Sequence, residues 1–308
     1  MKSWLLLFAC NLMWALQFTC IKLVEDQVGP WFTVFGPMFL ATALLYPLVR
    51  AERTAPVAAP TAGRSRWADV RLYGLLVIAG VFPGQVLLTY GTRWTLASNA
   101  AVLTLTLPVC TAFMAFVFLR ERMSAVRWLS FAMAIAGVVM CSGSDLRGAS
   151  FGLTNLAGNL LIFSGILGSA FYNSYGKTAL RIHSPLRMCF YTYLGMLVLM
   201  LPFVLGQEAD VFARIPQFTA RTWAGLALLT FFHNFLSMVL FLKALKVLDA
   251  IQATLSNYLI TAFGVPIAAI WLGERLTPLA IAGGVLVFAS TLVITVWEDL
   301  RREPATPG

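Results

Sequence analysis

Apolar residues in this chain neither alternate with polar ones nor recur on one helical face; they come in long blocks. A helix needs about 20 largely apolar residues to cross a bilayer. Ten stretches have that character, at roughly 3–21, 31–49, 72–92, 94–119, 125–144, 153–176, 188–206, 222–242, 247–272 and 276–297. Apart from Arg127 and Asp249, each close to a helix start, these stretches hold no Asp, Glu, Lys or Arg. The connections are short except for residues 50–71, an Ala/Pro-rich segment with five arginines. The pattern predicts an all-α membrane protein of ten transmembrane helices.

Composition narrows the class further. The 308 residues are 59% hydrophobic and 11% charged, against about 25% charged in soluble domains. That excludes a cytosolic enzyme, a secreted domain and a disordered chain. The five cysteines stand singly in apolar stretches without metal-ligand spacing, so they are read as small core residues. The first ten residues, ending at Cys10, faintly resemble a lipoprotein signal. The apolar run continues to Ile21, however, which suits a retained spanning helix.

The net charge of +9 does not call for a nucleic-acid partner, because the basic residues are dispersed between apolar segments. Topology explains them. With a cytoplasmic N-terminus, sixteen of the 22 Lys and Arg residues fall inside and six outside, as the positive-inside rule requires. Both termini are then cytoplasmic in a bacterial-type inner membrane.

The chain also repeats itself. Leu119-Arg120-Glu121-Arg122 returns as Leu272-Gly273-Glu274-Arg275, and Ile21-Lys22-Leu23 aligns with Gly176-Lys177-Thr178. Five spans per half is an odd number, so the second copy enters the membrane inverted and places Glu121 and Glu274 on opposite sides. The division is 1–148 and 149–298 for two inverted five-helix repeats, with a cytoplasmic tail at 299–308. Inverted repeats characterise secondary transporters, whose site lies near the midplane.

The first helix, with Trp14-Ala15, Phe18 and Ile21-Lys22, together with the two Leu-x-Glu-Arg turns and the paired halves, resembles the drug/metabolite transporter superfamily and specifically its EamA-type exporters. The resemblance implies an alternating-access carrier of small metabolites and no particular substrate. One departure concerns the proline of the fourth helix. It is present as Pro108, but the aligned position is Thr261, with Pro266 five residues later.

Polar groups within spans usually face the bundle interior or a cavity. At 100° per residue, Asn11, Trp14, Phe18 and Lys22 share a stripe of the first span. Tyr172 and Asn173 do so in the sixth, and His233 and Asn234 in the eighth. Gln85, Asn99, Gln252 and Asn257 complete the candidate substrate-binding set. For each, an ordinary interhelical hydrogen bond is the competing interpretation.

Lys22 and Lys177, at the ends of their helices, are gating or snorkelling residues. Pro108 and Pro266 are candidate hinges. Glu121 and Glu274 precede Ser124 and Thr277, which are expected N-caps of the next helices. The two carboxylates are expected to meet those helix N-termini. Asp249 is expected to cap the ninth span.

The resulting expectation is a secondary-active or facilitative exporter of small metabolites, amino-acid-like or amphipathic and drug-like, with a small-molecule substrate and the bilayer as partners. No cofactor, metal or nucleic acid enters, and the oligomeric state stays open, a monomer being sufficient. The rival is a membrane-embedded enzyme acting on a lipid-linked substrate. It lacks a constellation: the chain has two histidines, His183 in a basic loop and His233 alone in a span, and no carboxylate in a span core.

Overall fold

A computed structural model describes residues 2–54, 65–119, 124–142, 151–248 and 256–301. Glu121, Asp249 and Gln252 lie outside the described residues. The described chain is helical. The elements are α1 (Lys2–Val24), α2 (Pro30–Thr54), α3 (Arg66–Trp94) and α4 (97–119). They continue with α5 (Ala125–Ser142), α6 (Phe151–Leu180), α7 (Pro185–Gln207), α8 (Ala220–Val247), α9 (Tyr258–Leu272) and α10 (Pro278–Arg301). Seven of these are long and apolar enough to cross a membrane, and α5, α9 and α10 contain shorter apolar stretches.

Local chemistry sets the boundaries. Prolines open α2, α7 and α10, where the missing N–H costs nothing. Ser65, Ser184 and Thr219 cap α3, α7 and α8 by accepting a backbone N–H. The expected caps are present: Ser124 accepts from Arg127 N at 3.3 Å and Thr277 from Ala280 N at 3.2 Å. Gly273 ends α9 with φ +69, the left-handed conformation that glycine adopts without a Cβ penalty.

Helices α5 and α10 pack together, as do α2 with α7 and α4 with α9. The association of α3 with α6 has its counterpart in α8 with α1, and that of α4 with α6 in α9 with α1. These associations are exchanged with one another when each helix is replaced by the one five places away. Smaller details follow the shift of 155 residues that aligns Lys22 with Lys177. The π-helical turn Val77–Val81 in α3, so displaced, falls inside the π-helical Leu229–Leu236 of α8.

Glycines set the closest approach. A Cβ on Gly91 would lie 2.4 Å from the Gly158 carbonyl oxygen, one on Gly84 2.9 Å from Ser169 Oγ, and one on Gly80 3.0 Å from Tyr172 Cβ. Residue numbers rise on α3 as they fall on α6, so this pair is antiparallel. Helices α2 and α7 are antiparallel too, and each end is tied. The Glu208 carboxylate at the end of α7 accepts from Trp31 N at 3.0 Å and Phe32 N at 2.8 Å, at the start of α2. At the other end, Glu52 of α2 accepts from the Ser184 hydroxyl that caps α7.

Candidate functional site

A cavity of about 100 Å³ lies between the two halves. Its walls come from α1 (Trp14, Gln17, Phe18), α3 (Gly80, Gln85, Leu88), α6 (Ser169, Tyr172, Asn173) and α8 (His233, Met238, Phe241). Helices α4, α7 and α9 add Thr104, Tyr193, Asn257 and Ile260 among others. Of the residues expected from the sequence, Trp14, Phe18, Gln85, Tyr172, Asn173, His233 and Asn257 meet here.

Others sit elsewhere. Asn11 donates to Leu7 O and to Ser256 Oγ, both at 2.7 Å, a contact that ties α1 to the segment before α9. Asn99 donates to Thr95 Oγ1 one turn earlier, at 3.3 Å. Asn234 donates to Leu229 O at 2.9 Å within the π-helical segment. These three lie outside the cavity lining. Conversely, Gln17 and Tyr193 line the cavity although they are outside the set expected from the sequence. Gln17 shares the helix with Trp14, which is the signal that could have found it.

The cavity is mainly apolar and carries several polar but uncharged side chains. Among the described residues that line it, none is Asp, Glu, Lys or Arg. Trp14 Nε1, His233 Nδ1 and Asn257 Oδ1 are buried and have no hydrogen-bond partner among the described residues. His233 Nε2 faces Gln85 Oε1 across the cavity at 3.5 Å. Residues of the lining thus carry an unpaired donor, an unpaired acceptor and an unpaired imidazole nitrogen beside aromatic walls, with the Trp14 and Phe241 ring centroids 4.9 Å apart. The described residues hold no group of His, Cys, Asp and Glu able to bind a metal.

Backbone irregularities converge on the same place. Both π-helical turns contribute lining residues, Gly80 from one and His233 from the other. Helix α4 tightens to a 3-10 turn at Thr104–Thr106, just before Pro108, where the missing N–H breaks the regular ladder. Pro266 lies inside α9.

Beyond the cavity, Lys22 at the end of α1 donates to the carbonyl of Arg93 at the end of α3, at 2.9 Å. Lys177 at the end of α6 donates to the carbonyl of Leu248, the C-cap of α8, at 2.5 Å. Donor and acceptor are both displaced by 155. Glu274 differs from expectation: instead of meeting the helix that follows it, its carboxylate accepts from Ala97 N and Ser98 N at the start of α4.

Comparison with known proteins agrees with this architecture. The profile of the EamA-like transporter family matches residues 1–143 and again 156–296. A protein of Streptantibioticus cattleyicolor named "Probable terminal-alkyne amino-acid exporter" is 29% identical over 300 residues, covering 96% of this chain and 94% of its own. An "Uncharacterized transporter" of Archaeoglobus fulgidus is 26% identical over 296 residues, covering 96% and 97%. One solved crystal structure superposes with a TM-score of 0.66 at 13% identity, over 98% of this chain and 99% of its own; that likeness concerns the fold.

Proposed function

Because the chain belongs to the EamA-like transporter family, and so is a multi-pass membrane transporter rather than an enzyme, we propose that it exports small metabolites by alternating access through the central cavity. In this reading ten helices span a bacterial-type inner membrane as two inverted five-helix repeats, residues 1–148 and 149–298. Both termini are cytoplasmic. The observation that carries the proposal is the cavity itself, walled by both halves and placed between helices whose contacts are exchanged by the repeat.

The lining argues for the substrate class. A net charge would be buried there without a counter-charge, at a cost of several kcal/mol. A zwitterion or neutral molecule avoids that penalty. Each buried polar atom left unpaired costs about 1–3 kcal/mol, so a ligand that accepts from Trp14 Nε1 and donates to Asn257 Oδ1 recovers part of that penalty. The cavity, at about 100 Å³, is smaller than the roughly 150 Å³ that holds benzene, which favours the most compact solutes, and an amino acid is the class named for the Streptantibioticus relative.

The test is counterflow in proteoliposomes across a panel of neutral, zwitterionic, cationic and dicarboxylic solutes. Exchange of net-neutral solutes, recovered chemically unchanged, is the expected result. Preference for a dicarboxylate or a cation would overturn the substrate assignment.

A further inference from the structure

The two lysine contacts lie at opposite ends of the bundle. Helices α1 and α3 meet at their C-terminal ends through Lys22 and Arg93, and α6 runs antiparallel to α3. On α6, Gly158 is level with Gly91, close to Arg93. From there to Lys177 the helix rises about 28 Å, close to the thickness of a hydrocarbon core. Each lysine stands one turn beyond the last cavity residue of its helix, Lys22 beyond Phe18 and Lys177 beyond Asn173. The central cavity is therefore bracketed by two equivalent bonds.

We propose that Lys22 and Lys177 are the latches of two gates, each holding one end of the cavity shut and released alternately. This rests on the carrier reading above. The chemistry suits a switch. An ammonium on the last carbonyls of a helix completes their hydrogen bonding and complements the helix dipole. When the helix ends part, both groups are solvated at the membrane surface and the lysine stem stays in apolar surroundings. The net energy of such a bond is then small enough to be overcome in each transport cycle. At the Lys22 end the turn after α1 is also held: Arg93 donates to Val28 O at 2.7 Å and to Glu25 O at 2.6 Å, and Lys22 pairs with Glu25 at 3.2 Å. That gate closes as a unit of three charged side chains.

The latches are tested by accessibility rather than by substrate. A Ser169→Cys probe in the cavity, in a background without the native cysteines, is labelled by an impermeant maleimide from each side of the membrane. Lys22→Met should raise labelling from the Lys22 side relative to the other by at least about tenfold, the low end for one charge-assisted hydrogen bond. Lys177→Met should produce the opposite shift. Lys22→Arg and Lys177→Arg, which keep a donor, should stay near the parent. Lys22→Gln and Lys177→Gln replace the methionine variants if those fail to fold. Shifts to the same side, or no shift in folded variants, would overturn the proposal. Transport by the parent without side-specific shifts would remove the latches and leave the carrier. Opposite shifts in a protein that transports nothing would do the reverse.

Discussion

Glu274 accepts a hydrogen bond from the Ser98 hydroxyl at 2.8 Å while its two oxygens also accept from the backbone N–H groups of Ala97 and Ser98. The turn after α9 thus caps α4, a helix of the other half, with a carboxylate on the positive end of its dipole. Glu274→Ala should lower stability by about 2–3 kcal/mol, the range for a charge-assisted bond with its cap. Glu274→Gln, which keeps one acceptor, should lose less. Denaturant unfolding in detergent followed by tryptophan emission measures both, and equal losses would contradict the cap.

Gly91 allows the backbones of α3 and α6 to touch. Gly91→Ala inserts a methyl against backbone, which cannot rotate away, and should cost about 1–3 kcal/mol. Gly74 of the same helix has nothing within 4 Å of a built Cβ. Gly74→Ala should therefore be neutral or stabilising, by up to about 1 kcal/mol. The comparison of the two melting temperatures is the check.

The candidate polar side chains divide into two groups. Trp14→Phe and Asn257→Ala remove partners offered to the cavity and should each lower transport efficiency by about tenfold, the value of one hydrogen bond, with folded protein retained. Asn11→Ala and Asn99→Ala break contacts outside the cavity. They should reduce thermal stability and leave apparent substrate affinity unchanged. Altered affinity in the second pair would return those residues to the binding site.

Energy coupling offers another test. Proton-driven carriers commonly use an intramembrane carboxylate, and the described lining has none. Counterflow should proceed without a pH gradient, and a gradient imposed alone should drive no concentrative uptake. If a gradient does drive uptake, loss of that drive in His233→Gln would assign the proton to His233. Its survival in the variant would exclude this imidazole as the proton site.

Cysteines at positions 121 and 274, one in each Leu-x-Glu-Arg turn, should label from opposite sides of the membrane. Labelling of both from one side would end the inverted-repeat assignment.

Much of this was legible in the sequence, for reasons that also mark where legibility stops. The apolar blocks, the caps Ser124 and Thr277 and the lysine pair follow from composition and local chemistry alone. A helical stripe, by contrast, fixes which residues share a face and leaves open what the face meets. Asn11 shares a stripe with Trp14 and Phe18, yet it is bonded to Leu7 and Ser256. In α8 the stripe itself is interrupted. The π-helical turn changes the residues-per-turn count, so His233 lines the cavity with Met238 and Phe241 while Asn234 bonds to Leu229. Glu274 was recognised as a capping residue, but its target is 176 residues distant in sequence. No local signal points there.

Glu208 and Glu52 close the two ends of the α2–α7 pair, each reaching the first turn of the other helix. Two rods pinned at both extremities cannot slide along each other by even one residue without losing both carboxylate contacts. Axial shear between these helices is thereby disfavoured, whereas tilting or rotation about their common seam leaves the pins in place. In a carrier that works by alternating access, these two helices would keep their register and travel as one pinned pair.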